Sequence, residues 1–149
     1  MRVLSIPAEH PYTQAIRPAG VAYLPDPDID GHWWPHPALE AGYWRGEERE
    51  PDPADVVHIH FGFESFSPEH LREVVDVAHE LGKGVVVTVH DLRNPHIKDP
   101  AAQLSRLDAL VPAADAVITL TQGAADAIQA RWGRDAVVVR HPHIVPLDV

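Results

Sequence analysis

Histidines recur in this sequence where short apolar runs end. The run VVVTV at 85–89 is followed by His90, with Arg93 and His96 close behind, and His60 follows another apolar run. A histidine can donate or accept a hydrogen bond and titrates near neutral pH, so it suits ligand positioning, proton transfer or metal binding. If the runs are parallel strands, their carboxyl ends share one sheet edge, where open α/β sheets bind ligands. Six of the eleven histidines would then gather at that edge: His10, His60, His90, His96, His141 and His143.

Other interpretations of these polar residues remain open. His58 shares a strand face with His60, and its apolar flanks favour a hydrogen-bonded core histidine over a ligand. A zinc site of His60, His90 and His96 is an alternative, but loop histidines without H-E-x-x-H spacing support it weakly, so we predict no metal site. Thr121 begins a helix directly after a strand. The backbone N–H groups there suit a phosphate, but Thr121 is equally well explained as an ordinary helix cap.

The elements that must position these residues are short strands alternating with helices. Five near-continuous apolar runs favour buried parallel strands, at 3–6, 56–61, 85–89, 117–120 and 137–140. Three stretches with helical spacing lie between a capping residue and a helix-ending residue, at 67–82, 99–112 and 121–133. This order predicts an α/β fold, namely one Rossmann-like domain over 1–149 with an open, doubly wound parallel sheet in three layers.

The first third of the chain breaks this alternation. A proline-rich and tryptophan-rich insert at about 25–54 is too rich in proline for a long helix. Long connections of this kind tend to be functional or to cover another surface. Its aromatic residues either stack on sugar rings or cover a sheet face that lacks a helix: Trp33, Trp34, Tyr43 and Trp44.

Composition excludes several classes of function. The net charge is -10, from 22 acidic against 12 basic residues, which disfavours nucleic-acid partners. There are no cysteines, so thiol nucleophiles and thiolate metal sites are excluded. The usual dinucleotide, Walker and serine-hydrolase signatures are absent, and we predict no cofactor. The first residues are too short an apolar stretch for a signal peptide or an integral membrane segment, so we expect a cytoplasmic protein.

Four segments together resemble a known family. In order and spacing they are similar to the N-terminal domain of the retaining GT-B glycosyltransferases of the family 4 type, which have two Rossmann domains. The resemblance covers roughly the last two thirds of the chain. The segments are DVVHIHFG at 55–62, VVVTVHD at 85–91, ADAVITLT at 114–121 and VVVRHPHIVP at 137–146.

The resemblance implies that the chain is the acceptor-binding half of a sugar transferase. A C-terminal domain beyond these residues would bind most of the nucleotide-diphosphate sugar donor, so we expect the isolated chain to be inactive. His90 would be the catalytic residue, because the family's matching histidine lies beside the donor sugar. The residues expected to contact substrate are His10, Tyr12, His60, Gly62, Arg93, His96 and Thr121.

Two rivals come from other classes of function. One is a non-catalytic Rossmann-like module that binds a ligand or a protein through the tryptophan-rich insert. The other, which the sequence favours less, is a metal-dependent hydrolase built on the clustered histidines. A face left exposed by the missing domain would also allow the isolated chain to form a homodimer.

Overall fold

Six parallel strands form one open sheet in the computed structural model, which describes residues 1–90, 92 and 98–144. The strands are β1 (Arg2–Ile6), β2 (Ala22–Tyr23), β3 (Val56–Ile59), β4 (Gly84–Val89), β5 (Ala116–Thr119) and β6 (Val137–Val138). Their order is β2-β1-β3-β4-β5-β6, and all pairs are parallel. The predicted α/β, Rossmann-like fold is confirmed. The run predicted at 56–61 pairs only as far as Ile59, so His60 belongs to the loop that follows.

The helices of the described residues are α1 (Pro11–Ala15), α2 (Ala41–Trp44), α3 (Pro68–Glu80), α4 (Pro100–Leu110) and α5 (Gln122–Trp132). Three of them, α3, α4 and α5, begin where the sequence predicts, whereas the short α1 and α2 were not predicted. Ser67, Asp99 and Thr121 each accept a backbone N–H of the helix that follows, at 3.1 Å in all three cases. Such a side chain satisfies an N–H group that the first helical turn leaves unpaired. No helix among the described residues has the length and apolar character needed to cross a bilayer.

The two faces of the sheet differ in polarity. One face is apolar and packs against α3 and α4, and its strand residues are Leu4, Ile6, Val57, Ile59, Val85, Val87, Val89 and Val117. The other face carries Ser5, His58 and Thr88, all buried. His58 Nε2 lies 2.7 Å from Thr88 Oγ1. This pairing confirms the prediction of a hydrogen-bonded core histidine, because a buried polar group needs a partner.

The insert at 25–54 contains only short elements, namely a 3-10 turn at Pro37–Leu39 and α2. Trp44 is 2% exposed and donates its indole N–H to the Ala38 carbonyl at 2.9 Å, so it belongs to the core. Trp34 is 54% exposed. Trp44 therefore covers the core, which is one of the two roles that the sequence left open for the tryptophans. Trp34 does not cover the core.

The strand order creates a crevice between β1 and β3. The chain moves from β1 to β2 in one direction and then crosses back to place β3 on the other side of β1. With right-handed crossovers, α1 lies on the sheet face opposite α3, α4 and α5. The loops leaving β1 and β3 therefore diverge, and ligands bind at such a point in open α/β sheets.

Candidate functional site

A pocket of about 320 Å³ lies where the chain leaves the carboxyl ends of β3 and β4. We call it the switch-point pocket, since it adjoins the β1/β3 crevice. Its volume is at the lower end of the range for small-molecule sites. The described residues that line it are His10, His60, Phe61, Phe63, Glu64, Thr88, Val89, His90, Gln103 and Leu107.

The loop after β1 holds His10 in a fixed orientation. His10 caps α1, and its Nδ1 accepts the backbone N–H of Tyr12 at 3.2 Å. The loop itself is fastened by Asp26, whose carboxylate accepts the N–H groups of Ala8 and Glu9 at 2.6 and 2.9 Å. Because Nδ1 of His10 is an acceptor, the neutral ring carries its proton on Nε2. His10 therefore offers the pocket a hydrogen-bond donor.

His60 and His90 form a hydrogen-bonded pair at the ends of neighbouring strands. His60 Nδ1 lies 3.3 Å from His90 Nε2, so the two residues share one sheet edge as the sequence analysis requires. Burial lowers the pKa of His60 to about 2, and the nearby His58, His90 and His10 add to this effect. His60 is therefore neutral at physiological pH and acts as a hydrogen-bonding group with little capacity as a base.

His58 extends this arrangement into the sheet. Its ring stacks on that of His60 with 3.9 Å between centroids. Burial lowers the pKa of His58 to about 4, with a smaller contribution from His90. His58 and Thr88 are hydrogen-bonded to each other, and Thr88 also lines the pocket, so the two side chains form a polar layer behind it.

Tyr12 packs over the histidine pair from α1. Its ring centroid lies 4.7 Å from that of His90 and 5.8 Å from that of His60. The hydroxyl is buried and has no hydrogen-bond partner among the described residues, and burial raises its pKa. His141, beyond β6, also contacts this ring at 5.2 Å. Tyr12 thus links three strand ends at one place.

Gly62 lies beside the pocket and supports an aromatic surface. Its φ is +89°, and a Cβ built there would come within 2.5 and 2.6 Å of two Trp33 ring atoms. Gly62, Trp33 and Trp34 line a neighbouring depression that shares Phe61 and Glu64 with the switch-point pocket. Glycine at this position lets the indole of Trp33 pack directly on the backbone.

The remaining predicted site residues either do not line the pocket or lie outside the described residues. Thr121 follows β5 at the same sheet edge, but it is exposed and its hydroxyl caps α5. It is not among the described residues that line the pocket. Arg93 and His96, and Val145 and Pro146 of the last segment used for the resemblance, lie outside the described residues.

The sequence analysis missed several pocket residues. Gln103 and Leu107 approach from α4, and Phe63 and Glu64 from the loop after β3. Gln103 lies one helical turn before Leu107 and is 8% exposed, so it belongs to the buried stripe of α4. The i, i+4 spacing from Gln103 to Leu107 is the signal that places this glutamine in the buried stripe, although its polar side chain favours an exposed position.

No known protein family, curated protein or solved structure matches the chain. Within the described part of the chain, no group of three histidine, aspartate or glutamate side chains is placed to hold a metal ion.

The pocket is suited to a small, neutral ligand with several hydroxyl groups. Apart from the pocket's histidines, Glu64 is the only titratable side chain among the described lining residues, and burial holds His60 neutral. His10 offers a donor, and Gln103 offers an acceptor without a partner among the described residues. Phe61 and Phe63 provide apolar ring surface, and such a mixture of polar groups and aromatic faces suits a sugar ring.

Proposed function

We propose that this chain is the acceptor-side part of a glycosyltransferase that takes its sugar from a nucleotide-diphosphate donor. The observation that carries the proposal is the hydrogen-bonded pair of His60 and His90, held in a small polar pocket at the β1/β3 crevice. Such a crevice is where open α/β sheets bind ligands. The resemblance of the strand-end segments to GT-B glycosyltransferases agrees with this placement.

In the proposed reaction, the bond from the anomeric carbon to a phosphate oxygen breaks, and a bond from that carbon to an acceptor oxygen forms. The nucleoside diphosphate leaves with the bonding electrons, and its departing phosphate oxygen takes the proton that the acceptor hydroxyl loses. Charge develops on the sugar and on the leaving diphosphate, and fixed dipoles and hydrogen bonds stabilise both. A second domain would have to supply most contacts to the diphosphate.

In this proposal the second domain binds the diphosphate, and His90 positions the donor sugar. Its Nε2 faces His60 at 3.3 Å and its ring packs against Tyr12. These two contacts hold the imidazole plane, so a ligand hydroxyl would meet a ring that is already oriented. The low pKa of His60 argues against a role as general base.

The experiment compares the protein translated from the complete reading frame with the 149-residue chain. We expect the complete protein to transfer sugar from a nucleotide sugar to small acceptors, measured by mass spectrometry. The 149-residue chain alone should have negligible turnover. His90→Ala in the complete protein should lower kcat about 100-fold, the lower end of the range for loss of a positioned catalytic group.

The matched control is His79→Asn, which changes a histidine at the opposite edge of the sheet, where it contacts Asp115. We expect this variant to retain full activity. Robust turnover by the 149-residue chain, or an active His90→Ala variant, would overturn the proposal. A complete protein that binds glycosides and transfers none would instead be a non-catalytic binding module.

A further inference from the structure

Gln103 is the polar residue of the pocket that the histidine arrangement does not explain. It lies on α4, it is 8% exposed, and it lines the switch-point pocket together with Leu107. Its Oε1 is buried and has no hydrogen-bond partner among the described residues. Buried side-chain oxygens in folded proteins are almost always paired, so an unpaired one on a residue that lines a cavity points to a partner from outside the chain.

The contrast with nearby polar groups strengthens this point. Thr88, at the same pocket, is paired with His58 at 2.7 Å, and His60 is paired with His90. The polar layer behind the pocket is therefore satisfied internally. Gln103 approaches from the helix side, where its lining neighbours Phe63 and Leu107 are apolar and offer it no side-chain donor.

We propose that Gln103 Oε1 accepts a hydrogen bond from a hydroxyl group of a neutral polyhydroxyl ligand in the switch-point pocket, and so selects the ligand by its hydroxyl pattern. This inference rests on the proposed function and names the ligand chemistry of the same site. A site built to pair with a hydroxyl discriminates strongly against an analogue that lacks it, because the buried acceptor is then left unpaired.

The chemistry of the lining favours a hydroxyl over the other possible donors. A lysine-like or guanidinium ligand would need a carboxylate partner, and Glu64, the only carboxylate among the described lining residues, is exposed. An anion would find no lysine or arginine to pair with among the described lining residues. A hydroxyl can donate to Gln103 while the same ligand accepts from the Nε2 proton of His10.

The test follows the imidazole resonances of His60 and His90 by NMR in the 149-residue chain. Methyl glucoside, methyl galactoside and methyl mannoside are added separately at millimolar concentrations, and inorganic phosphate serves as the anionic comparison. Gln103→Met removes the acceptor at nearly constant side-chain length. Gln103→Leu is a second variant, and thermal unfolding shows that each variant folds. Gln129→Met, at an exposed position on α5, is the matched control.

We expect at least one glycoside to shift both histidines and phosphate to shift neither. Gln103→Met should weaken that glycoside about 10-fold, as expected for one hydrogen bond to a buried acceptor, while Gln129→Met should leave it unchanged. Glycoside binding that is unaffected in both Gln103 variants would overturn this inference and leave the proposed function standing. Shifts with phosphate only, or with no glycoside, would also overturn this inference, whereas the proposed function is overturned by the turnover measurements on the complete protein.

Discussion

Acidification is expected to unfold this protein because three buried histidines must be neutral in the folded state. Burial lowers the pKa of His36 to about 4, of His58 to about 4 and of His60 to about 2. In the unfolded chain each would titrate near 6.5. Stability from these groups is therefore intact above pH 6.5 and is lost as the pH falls from there toward 4.

The size of the effect follows from the number of protons taken up on unfolding. Each histidine that is neutral when folded and protonated when unfolded lowers the free energy of unfolding by about 1.4 kcal/mol per pH unit. Three such groups give about 4 kcal/mol per pH unit near pH 5, so two pH units remove about 8 kcal/mol. That loss is comparable with the whole stability of a typical domain, about 5–15 kcal/mol.

Carboxylates contribute little in the same pH range. A hydrogen bond from Arg131 lowers the pKa of Asp108, and the backbone N–H of Val85 lowers that of Asp115. Their ordinary pKa is 3.8, so the stability they provide is lost only as the pH falls below that value. The steep fall between pH 6.5 and 4 should therefore be due mainly to the histidines.

The assay is urea unfolding followed by tryptophan fluorescence, from about pH 7.5 down to about pH 4.5. His36→Asn keeps a side-chain acceptor for the Ala38 N–H, now bonded to His36 Nδ1 at 3.1 Å, but cannot titrate. It should reduce the slope of unfolding free energy against pH by about 1.4 kcal/mol per pH unit. His32→Asn changes an exposed histidine and should leave the slope unchanged. Equal stability at both ends of the pH range, or an unaltered slope in His36→Asn, would contradict the role given to the buried histidines.

Two further predictions concern backbone geometry and strand pairing. Gly62→Ala should lower the free energy of unfolding by about 2–3 kcal/mol, because the φ of Gly62 is +89° and the new Cβ would press on the Trp33 indole. Gly123→Ala, where the Cβ meets open space, should raise the free energy of unfolding slightly. Equal behaviour of the two variants would contradict this account. Asp115→Ala should cost about 1 kcal/mol in urea unfolding, since this carboxylate accepts the Val85 N–H at 2.7 Å. Asp135→Ala, at an exposed position, should cost nothing, and an equal loss in both variants would count against the role of that hydrogen bond.

The parts of the fold that could be predicted were those set by nearby residues. Ser67 caps α3 and Gly82, with φ of +73°, follows its end, and both signals lie within a turn of the helix they bound. Strand ends were harder to predict. The run at 137–140 pairs over only Val137–Val138, because the extent of a strand depends on the neighbouring strand as well as on its own residues.

The same limit applied to the tryptophans. Trp44 and Trp34 lie in the same proline-rich insert, yet one is 2% and the other 54% exposed. Composition cannot separate them, since burial of Trp44 depends on α3, more than 20 residues further along the chain.

The residue pattern alone predicts that parallel strands alternate with helices and that histidines follow the strands. These features depend on local periodicity, caps and turn residues. The three-dimensional fold was needed to show that β1 lies beside β3, that His60 contacts His90, and that Gln103, whose buried Oε1 has no partner among the described residues, lines their pocket. Strand order and helix packing bring together residues that are tens of positions apart, and both depend on burying the whole apolar face at once.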